Sequence, residues 1–216
     1  MPGRRRLELV IATYNPGKIR EVRDALEGLP LRLRYLSEFA HVSAVSEGGR
    51  TYEENAVLKA IGYAKQTGLC ALADDSGLEV DALDGRPGLL SARFVGKNAS
   101  DDDRIKTLLS QLAEQANSDR TARFVCCMAL AGWDSTEGLS RGDDPQLLTV
   151  IEARCEGVIA AKPVGKNGFG FDPVFLPTGF QQTFAQLPNE IKARISHRAL
   201  ALAKIRTFIN SRAATA

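Results

Sequence analysis

LELVIATYNPGKIREVRDALE, residues 7–27, is the stretch on which the fold turns. Leu7–Thr13 is a nearly continuous apolar run, the pattern of a strand buried on both faces. Tyr14-Asn15-Pro16-Gly17 is a polar loop of turn formers. Ile19, Val22, Ala25 and Leu26 then recur at helical spacing through about Glu27. Strand, short loop and helix in that order predict a βα unit, and with it an α/β layer architecture.

The rest of the chain extends this reading. Thr51-Tyr52-Glu53-Glu54 has the form of a capping box and opens a helix through about Gln66. Cys70–Ala73 is a short apolar strand that runs into Asp74-Asp75-Ser76-Gly77, so that the carboxylates emerge at a strand end, where α/β sites commonly lie. Gly85-Arg86-Pro87-Gly88 is a loop by its turn chemistry. Ser100 caps a helix to about Gln115, and Asp101–Asp103 suit its positive end. Residues 123–132 and 147–157 read as long strands, joined by a polar hairpin tip at 134–146. A glycine-rich loop at 165–172 precedes a short strand at 174–176. Ser196 caps a last helix to about Asn210. Some strands stand in βα order and others in hairpin order, which implies a mixed sheet.

Composition narrows the function classes. The 216 residues carry 28 Lys plus Arg against 26 Asp plus Glu, a formal net charge of +2, with 44% hydrophobic residues. Balanced charge and recurrent apolar residues argue for one sizeable globular domain rather than disorder. So small a net charge makes no case for a polyanion or membrane surface, so no nucleic-acid or membrane partner is expected. No apolar run approaches the about 20 residues of a spanning helix. The basic start followed by a short apolar stretch does not suit a secretory signal. The four cysteines, Cys70, Cys126, Cys127 and Cys155, form no C-x-x-C pair and lie in apolar, strand-like surroundings. They read as buried reduced thiols of a cytoplasmic protein. Two distant histidines give no zinc pattern.

Several segments combine residues suited to chemistry. Thr13–Lys18 lies between a strand and a helix, where free N–H groups, the helix dipole and Lys18 attract phosphate. An ordinary βα turn has the same form, and the P-loop pattern is absent. Asp74 and Asp75 suit Mg²⁺, which takes a few carboxylate oxygens plus substrate phosphate, and one of them can deprotonate a water. The same residues also fit a plain acidic turn. Asn55 and Lys59 lie one turn apart on one helix face. Lys192, His197 and Arg198 cluster late, and cations in the first turn of the last helix oppose its dipole. Phe169 and Phe171 stand among glycines, either as a slot for a flat base or as anchors of a turn.

Taken together these segments resemble the inosine triphosphate pyrophosphatase family, also called the Ham1 family. The matching pieces are IATYNPGK at 11–18, TYEENAVLKA at 51–60, ADDSGLEVDAL at 73–83, GRPGLLSARF at 85–94, GFGFDPVF at 168–175 and SHRALA at 196–201. They follow family order over residues 7 to about 210. The resemblance implies an α/β fold of the Ham1 and Maf type, an elongated mixed β-sheet flanked by helices, with two lobes around a central substrate cleft. It implies a single domain over 7–210 between an extension at 1–6 and a tail at 211–216.

The resemblance further implies a Mg²⁺-dependent, homodimeric enzyme that converts ITP, dITP and XTP to monophosphate and pyrophosphate. Carried over by position, Thr13, Asn15, Gly17 and Lys18 hold the triphosphate, with Lys59 near it. Asp75 is the proton acceptor and a metal ligand, Glu47 a second ligand and Asp74 a further candidate. Ser76 touches substrate, while Phe169, Gly170, Phe171, Asp172, Lys192, His197 and Arg198 shape the base pocket. The chain departs from the family pattern at Phe171, where Tyr is usual, and at Tyr52, where Phe is usual. Two rivals stand beside this reading: a Maf-type pyrophosphatase of other modified nucleotides, and a nucleotide sensor that does not hydrolyse its ligand.

Overall fold

A computed structural model describes residues 7–96, 98–115, 119–133 and 144–215. Six strands form one sheet: β1 (Leu7–Ile11), β2 (Leu31–Tyr35), β3 (Cys70–Val80), β4 (Thr121–Gly132), β5 (Gln146–Ile159) and β6 (Phe175–Pro177). Their spatial order is β2-β1-β3-β4-β5-β6. β1 pairs in parallel with β2 and β3, and β5 pairs antiparallel with β6, so the sheet is mixed as expected. The helices are α1 (Pro16–Leu26), α2 (Tyr52–Thr67), α3 (Asp101–Ala113), α4 (Asn189–Ile195) and α5 (His197–Thr215). Among the described residues, no helix is long and apolar enough to cross a membrane.

The contacts divide the described chain into two compact units. One comprises the residues up to Asp75, those from Cys127 to Glu152 and those from Ala201 on; the other comprises Ser76–Cys126 and Ala153–Leu200. In the first unit Leu9, Val10 and Ile11 of β1 are buried, as a strand covered on both faces requires. The α2 alanines at 56, 60 and 64 are completely buried, and their four-residue spacing makes a smooth packing stripe. In the second unit Leu78, Val80, Leu108, Phe124, Phe175 and Phe184 belong to one hydrophobic core. The Phe124 and Phe175 rings lie 4.7 Å apart and those of Phe175 and Phe184 5.3 Å apart. Burying each such side chain is worth about 1.5–3 kcal/mol.

The largest departure from expectation is at residues 74–77. In place of a strand end, β3 continues through Asp74, Asp75, Ser76 and Gly77 to Val80. Buried carboxylates are tolerated where cations satisfy them, and both aspartates have lysine partners, at 3.0 Å each. Ion pairs made at long range therefore override the local turn chemistry. Two elements lay outside the periodicity reading: β2, whose LRLRY alternation marks a half-exposed edge strand, and the short helix α4. The last helix continues through residues 211–215, which were expected to form a tail. Residues 134–143 of the anticipated hairpin tip lie outside the described residues. The cysteines fall on β3, β4 and β5 and are free thiols, with Cys126, Cys127 and Cys155 buried.

Candidate active site

The end of β1 delivers Thr13 to the start of α1, where Asn15 is the N-cap. Gly17 and Lys18 donate their backbone N–H groups to Asn15 Oδ1 at 2.9 and 3.1 Å, and Asn15 donates its own to Thr13 Oγ1 at 3.2 Å. Two of the N–H groups credited with phosphate affinity are thus engaged by the cap itself. The attraction of this turn for anions rests on the dipole and on the Lys18 side chain. That ammonium lies 3.0 Å from Asp74 Oδ1.

Lys59 is the centre of the charged group. Its ammonium donates to Glu47 Oε1 at 2.9 Å and to Asp75 Oδ1 at 3.0 Å. Asn55, which sequence reasoning placed near Lys59 but gave no role, donates to Asp75 Oδ2 at 3.1 Å. Burial opposes the charge on Lys59, but Asp75, Asp74 and Glu47 outweigh it and hold its pKa above the ordinary lysine value. Burial raises Asp75 above the ordinary aspartate value, and Lys59, Lys18 and Asn55 offset that only in part. The asymmetry has a simple origin: the lysine faces three carboxylates, while Asp75 shares one ammonium and is only 8% exposed. A buried carboxylate with a raised pKa, beside cations, has the features of a candidate general base.

Glu47 lies on a segment without regular structure that is laced onto α2. The Ser43 N–H donates to Gln66 at 2.7 Å, and the Gln66 amide donates back to the Ser43 carbonyl at 3.1 Å. The Val45 N–H donates to the Tyr63 hydroxyl at 3.4 Å and the Gly49 N–H to Asn55 Oδ1 at 2.9 Å. The Arg50 N–H is taken by Glu54 at 2.6 Å, while Thr51 accepts from the Glu54 N–H at 3.0 Å. The expected capping box is therefore half formed, because Glu54 reaches one residue further back than the motif requires.

Glu47 and Asp75 face one cation position, occupied by the Lys59 ammonium. Among the described residues no set of three or more His, Cys, Asp and Glu side chains is grouped to hold a metal. Two carboxylates fit a hard divalent ion such as Mg²⁺, which keeps waters and takes substrate phosphates rather than a full protein cage.

The late motifs form a second group, all within the second unit. Asp172, 3% exposed, accepts from the Phe169 N–H at 2.9 Å and from the Lys192 ammonium at 2.6 Å. Gly168 adopts φ +78°, and a Cβ there would overlap the Asp172 carboxylate, so the turn requires glycine. Lys192, on α4, lies 4.9 Å from the centre of the Phe169 ring, and the Arg198 guanidinium lies 5.7 Å from it. Arg198, only 2% exposed, also donates to Ser76 Oγ at 2.9 Å. His197 stacks on Phe124 with ring centres 4.7 Å apart.

The two aromatics of the glycine loop have separate fates. Phe171 is 4% exposed and belongs to the hydrophobic core, whereas Phe169 is half-buried beneath its cations. Phe169 keeps a partly accessible ring, whereas Phe171 packs as an anchor of the core. Asp101 suits the positive end of α3. It also accepts from the Gly170 N–H at 2.7 Å, holding the same loop from α3.

Comparison with known proteins identifies the family. The Ham1 family model matches residues 9–208. The dITP/XTP pyrophosphatase of Geobacter sulfurreducens is 45% identical over 201 residues, covering 93% of this chain and 96% of the relative. The protein of that name from Coxiella burnetii is 42% identical over 203 residues, with 94% and 96% covered. Among solved structures, a HAM1 protein from Coxiella burnetii superposes with a TM-score of 0.83 at 42% identity, covering 95% of this chain and 99% of that one. The Ham1 protein of Staphylococcus aureus gives 0.80 at 38% identity, with 94% and 98% covered. The match spans both units and every segment that carries the charged and aromatic groups, and the chain belongs to the Ham1 family.

Proposed function

We propose that this chain hydrolyses non-canonical purine nucleoside triphosphates, dITP, ITP and XTP, to the monophosphate and pyrophosphate. The observation that carries the reading is Asp75: buried, raised in pKa, and held between Lys59, Asn55 and the nearby Glu47. Thr13 to Lys18 and Lys59 receive the triphosphate, whose charge of about four minus needs neutralising. Mg²⁺, when bound, would be held by Glu47 and Asp75, with Asp74 a further candidate, and would supply Lewis-acid neutralisation of the phosphate oxygens. Asp75 takes a proton from the attacking water onto a carboxylate oxygen, the water's oxygen bonds to the α-phosphorus, and pyrophosphate leaves. Lys18 and Lys59 stabilise the negative charge that gathers on the leaving group.

Base recognition falls to the second group. Phe169 offers a stacking face, and Arg198 or His197 donates to the 6-oxo group of hypoxanthine or xanthine. Adenine presents an amino donor there, leaving a buried donor unpaired at about 1–3 kcal/mol. The homodimer, the cytoplasmic location and the joining of both units into one substrate-binding domain belong to the same proposal. Its support is the family, together with relatives named dITP/XTP pyrophosphatase.

The test is pyrophosphate release from ITP, dITP, XTP, GTP, ATP and pyrimidine triphosphates, with and without Mg²⁺. Turnover confined to ITP, dITP and XTP and lost without Mg²⁺ is the expected result, with Asp75→Asn slower by orders of magnitude. Preference for a modified pyrimidine supports the Maf-type rival, and tight binding without turnover supports the sensor.

A further inference from the structure

Asn55 is the fourth residue of α2 and is 1% exposed. Both ends of its amide are engaged: the nitrogen donates to Asp75 Oδ2 at 3.1 Å and the oxygen accepts from the Gly49 N–H at 2.9 Å. One planar group therefore joins the strand that bears Asp75 to the segment that bears Glu47. Asparagine is suited to both tasks, because a carboxylate partner demands a donor and a backbone N–H demands an acceptor. Aspartate lacks the donor and alanine lacks both. Gly49 permits the approach: a Cβ there would meet Glu54 Cβ at 2.7 Å and Asn55 Oδ1 at 2.8 Å.

The lacing of this segment onto α2 has a matched spacing. Its contacts advance two residues along the segment, from 45 to 47 to 49, for every four along the helix, from 63 to 59 to 55. Two residues of extended chain rise about 6.6 Å and four helical residues about 6 Å. Glu47 sits at the middle rung, and Asn55 is the rung that also reaches Asp75.

We propose that Asn55 is a positioning residue that sets the two carboxylates, Glu47 and Asp75, in place for a divalent cation before any nucleotide arrives. This rests on the function proposed above. Asn55 holds the carboxylates and not the nucleotide, so its loss should affect metal affinity and turnover rather than substrate affinity. Groups that orient metal ligands typically matter by about 10–100-fold when removed.

The experiment compares wild type with Asn55→Ala in the full chain. Mn²⁺ binding without nucleotide is followed by the electron paramagnetic resonance signal of the free ion, and kcat and KM for dITP are measured separately. The expected result is Mn²⁺ affinity weakened at least tenfold, kcat lowered about 10–100-fold, and KM within threefold. Ser91→Ala is the control for general destabilisation. It removes a buried hydroxyl that accepts from the Leu78 N–H at 2.9 Å, and it should leave Mn²⁺ affinity within twofold. If Asn55→Ala does not fold, Asn55→Thr keeps the volume and one polar contact and should weaken Mn²⁺ at least threefold.

Folded Asn55→Ala with Mn²⁺ affinity and kcat within twofold of wild type overturns the proposal. A wild type that binds no Mn²⁺ without nucleotide overturns it as well. Failure of the functional reading is seen separately, as absence of pyrophosphate release by wild type from dITP and XTP.

Discussion

Replacing Lys59 with methionine removes the cation shared by Glu47 and Asp75 while nearly preserving side-chain length. Lys59 and Asp75 side chains are 10% and 12% exposed, so their interaction is little screened, whereas Glu47 at 35% can recover solvent. Removing one partner of a buried pair typically costs about 3–5 kcal/mol. The Asn55 hydrogen bond to Asp75 persists, which places the expected loss near the lower end, about 3 kcal/mol at pH 8.

The pH dependence identifies the cause. The folded-state pKa of Asp75 is already above its ordinary value through burial, and loss of the ammonium raises it further. A carboxyl with a raised folded pKa binds its proton more tightly in the folded chain. Stability is then greatest at low pH and falls as pH rises through the folded pKa, by up to about 1.4 kcal/mol per pH unit. Lys59 stays protonated throughout, since its pKa lies above the ordinary lysine value. The loss in Lys59→Met should therefore shrink by at least 1 kcal/mol between pH 8 and pH 5, read from urea denaturation followed by circular dichroism. Adding Asp75→Asn to Lys59→Met should restore much of the stability at pH 8. A loss that is equal at both pH values would refute the assignment of the effect to an uncompensated Asp75 charge.

If Asp75 is the base, as proposed, the acid limb of kcat/KM should lie above the ordinary carboxylate range, because it would act only when ionised and burial raises its pKa; a pH–rate profile checks this. Gly168→Ala should lower stability by about 2 kcal/mol or more through left-handed strain and overlap with Asp172, and should raise KM for dITP, as thermal melts and steady-state kinetics would show. Burial pushes the Cys127 thiol up to about 12 and the Cys155 thiol up to about 11, and Cys126 is wholly buried. Mass spectrometry after native iodoacetamide treatment at pH 8 should accordingly find modification at Cys70 alone, with the other three labelled only after unfolding.

Much of this architecture is legible in local patterns. The apolar run at 7–11 and the helical spacing after Pro16 follow from one face of short-range periodicity, and β1 and α1 form where that periodicity places them. Turn chemistry at 74–77 misleads because its two aspartates are satisfied by lysines far away in sequence, and no local rule contains those partners. The same limit applies within the site. Residue types at 18, 59, 74 and 75 announce anion and metal chemistry, but their spacing does not say that Lys18 meets Asp74 while Lys59 meets Asp75. Phe169 and Phe171 look equivalent in a glycine-rich loop, and only packing separates the half-buried ring from the core anchor. Asn55 carried a positional hint, one turn from Lys59, yet its two partners lie in segments that sequence proximity does not join.

A net charge of +2 hides two local imbalances of opposite sign. Around Lys59, three carboxylates (Glu47, Asp74 and Asp75) meet two ammonium groups, so these five side chains alone carry one formal negative charge. Around Asp172, one carboxylate meets Lys192, and Arg198 adds a second cation over the same ring, so these three side chains alone carry one formal positive charge. The first group as it stands is mismatched to a triphosphate. A divalent cation added to it leaves an excess of one positive charge and turns repulsion into attraction. On the proposed function, triphosphate binding would be linked to occupancy of the metal position, while the group around Asp172 would be cationic without help. On this reasoning nucleotide affinity should depend steeply on Mg²⁺, whereas a nucleoside lacking phosphates should bind weakly and without regard to the metal. Equilibrium dialysis of inosine and of a non-hydrolysable inosine triphosphate analogue, each across a Mg²⁺ series, reads both dependences. Equal Mg²⁺ dependence for the two ligands would show that charge compensation at the carboxylates is not what couples metal to substrate.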